Sequence, residues 1–303
     1  MTQATAIKAP KMTEQEYAEL LLKHIEGADA ILIGAASGMS TAAGHRFYYE
    51  DDDTFWEVFG TFANKYGFRN AFDGFYHRYR TPEERWAFIA TFVKHIYDSE
   101  EGQPYHDLAK LMDGKNFHVL TTNQDTLMER VFPADKVSAI QGDWRYFQCK
   151  HRCHDELYYN KEMVDAMYEA IDGTAIPSDL VPRCPKCEAE MEPWVRGFDF
   201  LEGTKYAEEY GKLNRFLEDN KDKKILFLEL GVGRMTPMFI QEPFWNLTYS
   251  LPNAFYININ PKDACMPKQL EGKGALIPED IAMVLADAAA LKDQETEDDH
   301  DNE

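Results

Sequence analysis

Long apolar runs are missing from this chain of 303 residues: no stretch is able to span a bilayer, and Met1 to Lys11 lacks the apolar core of a signal peptide. A cytoplasmic protein is the expectation. Positive charge is scarce too, with 32 Lys and Arg against 53 Asp and Glu and a formal net charge of -21. That balance excludes a nucleic-acid groove and an anionic membrane surface as partners, since either would have to overcome long-range repulsion. Part of the acidic excess lies in residues 293–303, which are polar, lack apolar periodicity and read as a disordered tail. Cysteine is limited to five residues, and without an export signal close pairs of them point to metal before disulfide.

What the chain does carry is an alternation of apolar strands and amphipathic helices, long enough for one large α/β domain with an insertion or for two domains. Thr13-Glu14-Gln15-Glu16 fits a capping box, after which Tyr17, Leu20, Leu21 and Ile25 recur at helical spacing. The run Ala30-Ile31-Leu32-Ile33 then breaks at Gly34 into Ala35, Ala36, Ser37, Gly38, Met39, Ser40 and Thr41, and a helix begins. Free backbone N–H groups and small side chains at such a turn suit an anion. The spacing is neither G-x-G-x-x-G nor a P-loop, so a tight turn with no ligand fits as well. From Thr54 to about Asp98 a helical pattern is crowded with rings, among them Phe55, Trp56, Phe59, Phe72, Phe75, Tyr76 and Phe92. They suggest a small helical module or a wall over a ligand pocket, with most of the rings expected as plain core.

Further on, the buried strand Phe117-His118-Val119-Leu120 ends in Thr121-Thr122-Asn123-Gln124-Asp125, and the short strand Lys136 to Ile140 ends at Gln141-Gly142-Asp143. Lys224 to Leu230 is a strand entering a second glycine turn, Gly231-Val232-Gly233-Arg234, and Phe255 to Ile259 is another that carries Asn258. Helices are expected over Pro104 to Met112, Lys205 to Asn220 and Ile281 to about Leu291. This order predicts an α/β fold with a doubly wound parallel, Rossmann-like sheet, whose polar strand ends are where ligands bind.

Cys149 with Cys153 and Cys184 with Cys187 interrupt the alternation. Two such pairs about thirty residues apart fit a four-thiolate structural zinc in a small insert. His151 and His154, beside the first pair, are alternative ligands. A saturated zinc has no open position, so its role is folding rather than chemistry. Cys265 stands alone and reads as a buried small residue.

Taken in order, these segments resemble the sirtuin family. Its members carry a glycine-alanine loop, a Thr-Gln-Asn-Ile-Asp segment, a His-Gly, two cysteine pairs, a Gly-Thr-Ser turn and a late Ile-Asn. The corresponding positions here are Ala36 to Thr41, Thr121 to Asp125, Gln141-Gly142, the four cysteines, Leu230-Gly231-Val232 and Ile257-Asn258, so the resemblance runs from Ala28 to Ala286. Two departures make it most similar to the macrodomain-linked sirtuins of microbes. Gln141 stands where sirtuin deacetylases keep a histidine general base, and glutamine cannot take up and release a proton near neutral pH. His45-Arg46-Phe47-Tyr48 stands where the family has Pro-Asp-Phe-Arg.

The resemblance implies an NAD-dependent protein ADP-ribosyltransferase with poor or absent deacetylase activity. It implies a protein acceptor, a lipoylated glycine-cleavage-type carrier, and a functional link to a macrodomain protein that removes ADP-ribose. Asn123 would contact the ribose and position the attacking group, Asp125 would bind the nicotinamide amide, and Gln141 would bond ribose hydroxyls. Ala35, Ala36, Ser37, Gly38, Met39, Ser40, Thr41, Gly231, Val232, Arg234 and Asn258 would complete the NAD site. An NAD glycohydrolase or a non-catalytic NAD- or ADP-ribose-binding module would use the same residues. The expected organisation is a flexible N-terminus over 1–12, an NAD-binding domain over 13–147 and 192–291 with a helical module at 54–100, a zinc-binding insert over 148–191, and a disordered tail over 292–303.

Overall fold

The computed structural model describes residues 11–234 and 236–301, so the expected flexible N-terminus lies, up to residue 10, outside the described residues. Helix α1 (Glu14–Gly27) opens on the expected capping box: the Thr13 hydroxyl accepts the Glu16 N–H at 3.2 Å and the Glu16 carboxylate accepts the Thr13 N–H at 2.6 Å. Strand β1 (Ala30–Ala35) is buried throughout and leads into the short α2 (Ser37–Ala42). Next come α3 (Asp53–Tyr66), α4 (Ala71–Tyr76), α5 (Pro82–Asp98), α6 (Gln103–Leu111), β2 (Phe117–Thr121), α7 (Leu127–Val131) and β3 (Val137–Ala139). A lobe follows, with β4 (Gly142–Cys149), β5 (Tyr158–Tyr159), α8 (Lys161–Glu169) and β6 (Met191–Val195). The chain then returns through α9 (Thr204–Asn220), β7 (Ile225–Leu230), α10 (Gln241–Ser250), β8 (Ala254–Ile259), β9 (Gly274–Ile277) and α11 (Ile281–Asp301).

Six strands form one sheet in the order β3-β2-β1-β7-β8-β9, and every pairing is parallel. Alternate side chains serve opposite faces. Ile31, Ile33, Leu226, Leu228 and Ile257 pack with α1, α6 and α11, while Leu32, Phe227 and Tyr256 pack with α9 and α10. This is the doubly wound sheet that the alternation of elements predicts. The second sheet is antiparallel, β5-β4-β6, and shares a separate core with α3, α5 and α8, built on Phe55, Phe59, Trp86, Phe88, Phe92, Trp144 and Phe147.

The structure departs from the sequence reading at several places. The second sheet takes in residues 142–147 and 192–195, which the boundaries 148–191 leave outside. Strand β9 is not anticipated, and α11 continues past Leu291 to Asp301, so residues 292–301 of the expected tail are helical. Tertiary contacts hold the first residues of the extension. The Lys292 ammonium donates to the carbonyls of Lys110, Leu111 and Asp113 at 3.1, 3.3 and 3.2 Å, and Asp293 pairs with Lys110. Among the described residues no helix is long and apolar enough to cross a membrane.

Candidate active site

The ends of β2, β1 and β7 lie side by side at the switch point of the sheet, where the chain direction of crossovers reverses. The two glycine turns meet there. Gly38 N–H donates to Gly231 O at 3.1 Å, and a Cβ on Gly38 would lie 2.5 Å from Gly231 Cα. Only glycine permits that approach. Helix α2 then directs Ser40 to the end of β2, where its hydroxyl donates to Asp125 Oδ2 at 2.5 Å and accepts from Asn123 Nδ2 at 3.0 Å. Asn123 Nδ2 also donates to Ala36 O at 3.0 Å. Thr126 is held in the left-handed region at φ 67, which strains a β-branched residue and lets Asp125 Oδ1 accept the Leu127 N–H at 3.2 Å. Burial raises the Asp125 pKa above the ordinary carboxylate value, against the opposing pull of the Ser40 hydroxyl and the Leu127 N–H.

A cavity of about 520 Å³ opens beside this network. Seven of the residues expected to form the site line it: Ala36, Ser37, Ser40, Thr41, Asn123, Asp125 and Gln141. The others do not. Ala35 and Met39 are buried in the sheet core, and Gly38 and Gly231 are spent on packing the turns together. Val232 is buried, with its carbonyl accepting from Asn260 Nδ2, and Arg234 is exposed and paired with Asp263 at 2.6 Å. Asn258 donates to Glu229 Oε1 at 2.9 Å inside the sheet. Glu229 is 0% exposed and also accepts from Gln241 Nε2 and the Tyr256 hydroxyl; burial pushes it up to about 7.

Gln141 is clamped by its backbone. Its carbonyl accepts from Gln124 Nε2 at 2.9 Å and from the Arg196 N–H at 2.8 Å. At Gly142, φ is +90° and a Cβ would lie 2.0 Å from Trp194 O, so the position admits only glycine. The side chain is free by contrast. Gln141 Nε2 and Arg196 Nε are buried donors without a partner among the described residues. Both residues line the cavity. Orphaned buried donors are costly unless a ligand acceptor completes them, so the arrangement fits a hydroxyl-rich or anionic ligand.

The four cysteines converge in the lobe, with all sulfurs within 4.8 Å of one another. Cys149 and Cys187 sulfurs are 3.5 Å apart and those of Cys153 and Cys184 are 3.7 Å apart. Tetrahedral zinc–thiolate bonds require sulfur separations of about 3.8 Å, so the donor set fits zinc. His154 stands beside the cluster, its Nδ1 3.0 Å from the Cys153 sulfur and its Nε2 tied to the Tyr158 hydroxyl at 2.8 Å. Asp155, next in sequence, accepts the Thr204 N–H at 2.9 Å at the start of α9 and so fastens the metal loop to the main sheet's helix layer.

A protein ADP-ribosyltransferase from Staphylococcus aureus strain Mu50 is 34% identical over 275 residues, covering 89% of this chain and 86% of that protein. The chain belongs to this family. A probable bifunctional ADP-ribose hydrolase/ADP-ribosyltransferase from Fusarium oxysporum f. sp. cubense is 27% identical over 250 residues, covering 78% of this transferase and 41% of the fungal protein. The fold is that of the sirtuins. A Sir2 homologue in complex with NAD superposes with a TM-score of 0.56 at 16% identity, covering 94% of this chain and 95% of the other. Sir2Tm bound to a propionylated peptide gives 0.57 at 18% identity, covering 88% and 95%. No protein-family model matches the chain.

Several cavity residues of this transferase escape sequence reasoning. Arg196 follows β6, stacks on Phe200 and Tyr206 and pairs with Glu202 at 2.6 Å; nothing in its neighbours marks it. The β7 turn contributes Gly233, Thr236 and Phe239 rather than Gly231, Val232 and Arg234. The aromatic run does wall the cavity through Phe72, Phe75, Tyr76 and Phe92, while Phe55, Phe59 and Phe88 are core. His45, Phe47 and Tyr48, the residues that replace the family's Pro-Asp-Phe-Arg, line it as well.

Proposed function

We propose that the chain transfers ADP-ribose from NAD to an acceptor protein and releases nicotinamide at this cavity. The observation that carries the reading is Gln141, whose buried, unpartnered amide faces the cavity together with Asn123, Asp125 and Ser40. NAD when bound supplies a nicotinamide–ribose bond whose cleavage passes through an oxocarbenium-like state. Asp125 offers a carboxylate to the nicotinamide amide, held in place by Ser40 and the Leu127 N–H. Asn123 is fixed through Nδ2 to Ala36 and Ser40, which leaves its amide oxygen for the ribose. Gln141 donates from Nε2 to a ribose hydroxyl without exchanging a proton, which supports poor or absent deacetylation. Phe72, Phe75, Tyr76 and Phe92 give the cavity an aromatic wall, which would favour a protein nucleophile over hydrolysis once the bound acceptor closes the site to water.

The acceptor we infer is a lipoylated carrier protein of the glycine-cleavage type, supported by the resemblance to macrodomain-linked sirtuins. The fungal relative, whose name joins an ADP-ribose hydrolase to a transferase, supports a link to a macrodomain protein that removes the modification. The test is intact-mass spectrometry of lipoylated and unlipoylated carrier protein after incubation with the enzyme and NAD. One added ADP-ribosyl group on the lipoylated form is expected. Free ADP-ribose with unmodified carrier would make the protein a glycohydrolase, and NAD binding without nicotinamide release would make it a binding module.

A further inference from the structure

Strand β3 is an edge strand with only three residues, yet Gln141 stands two residues beyond its end. An edge strand leaves one row of backbone groups unpaired, and alternate N–H groups point to opposite sides. Ile140 N–H turns inward to Thr121 O of β2 at 3.2 Å. Ala139 N–H therefore points outward, away from the sheet. A side chain of α9 meets it there: Glu209 Oε2 accepts the Ala139 N–H at 3.1 Å.

Glu209 is 4% exposed and held from both sides, by Lys205 at 3.1 Å and by Lys212 at 2.7 Å. Its own carbonyl accepts from the Ser138 hydroxyl at 2.7 Å, and Lys212 also donates to the carbonyls of Ala134 and Val137. One turn of α9 thus replaces the neighbouring strand that β3 lacks. A buried carboxylate is a costly way to fill an edge unless its acceptor atom must be placed.

The geometry points to Glu209 as a positioning residue for Gln141, holding the end of β3 so that the glutamine amide meets the ribose; this rests on the NAD-dependent transfer proposed above. Glu209 touches no cavity atom. Its effect is carried by the two peptide units that join Ala139 to Gln141, and the glutamine carbonyl is fixed separately by Gln124 and Arg196.

Three variants separate placement from charge. Glu209→Gln keeps an oxygen acceptor for Ala139 and loses the charge, whereas Glu209→Asp keeps the charge and withdraws the oxygen by one methylene. Glu209→Ala removes both. With nicotinamide release measured under saturating NAD and lipoylated carrier protein, Glu209→Asp and Glu209→Ala are expected to lose about tenfold in kcat. The KM for NAD should stay within about twofold, and Glu209→Gln should regain kcat to within about threefold of wild type. Amide hydrogen exchange at Ala139 is the second readout, faster in Glu209→Asp and unchanged in Glu209→Gln. An Asp variant as active as wild type, or a Gln variant as slow as Ala, would overturn the assignment. Wild type that releases no nicotinamide would instead defeat the proposed function, and Ala139 exchange equal in the Asp and Gln variants would still overturn the positioning role.

Discussion

The six-stranded sheet buries aliphatic strands, Ile31, Ile33, Leu226 and Leu228 among them, under helices on both faces, whereas the lobe around β4 buries Phe55, Phe59, Trp86, Phe88 and Trp144 and gathers four thiols. The sheet is held by continuous backbone ladders from β3 to β9. The lobe has three strands, one of them only two residues long, and is built on ring packing and a cluster of four thiols. The cavity lies between them and draws on both. Its polar groups, Ser40, Asn123 and Asp125, come from strand ends of the sheet, while Trp144, Phe75 and Arg196 come from the aromatic and metal-binding side. Labour is divided: ladders fix the small polar groups, and the lobe closes the space around them.

The largest break in this comparison should come from zinc removal. Structural zinc–thiolate sites contribute on the order of 10 kcal/mol to folding. A chelator is therefore expected to collapse the near-UV circular dichroism of the lobe's rings while far-UV signal from the sheet persists; loss of both together would show one cooperative unit instead. Gln141→Leu comes next. Removing an unpartnered buried amide should leave the melting temperature equal to or above that of wild type, while nicotinamide release falls about 100-fold. A parallel loss of stability would mean that the glutamine serves the fold.

Glu229 probes the sheet side. Burial pushes its folded pKa up to about 7, above the ordinary glutamate value of 4.5, so its contribution to stability is fully present below about 4.5 and is lost as pH rises through 7. Urea unfolding should show wild type weakening by about 3 kcal/mol across that window, and Glu229→Gln should flatten the slope. A slope unchanged in the variant would assign the pH dependence elsewhere. The smallest effect contrasts two glycines. A Cβ on Gly74 would meet the Phe88 ring at 2.5 Å, whereas one on Gly27 meets nothing within 4 Å. Gly74→Ala should cost about 1–3 kcal/mol by overpacking the aromatic core, and Gly27→Ala at the end of α1 should be neutral or slightly stabilising.

Most of the sheet was legible because its strands are short apolar runs bounded by glycine or amides, and because Thr13 and Glu16 announce α1. The metal site was legible from spacing alone. The extent of α11 was not, since Lys292 and Asp293 are helical by virtue of contacts with α6 that lie far away in sequence. At the cavity, residue type singles out Asn123, Asp125 and Gln141, which do line it, but side-chain direction is hidden in the sequence. Asn258 resembles a strand-end ligand group, yet strand alternation points it at Glu229. Gly38 and Gly231 read as a cradle for an anion, and in space they also pack on each other. Arg196 and Glu209 could be found only once β6 and α9 were placed in space, because each acts across the fold rather than within a motif.

The most direct measurement is the mass of the lipoylated carrier protein after incubation with NAD and either wild-type enzyme or Asn123→Ala. The proposed transfer to that carrier predicts one ADP-ribosyl group added by wild type and none by the variant in the same time. Equal modification by both would contradict it.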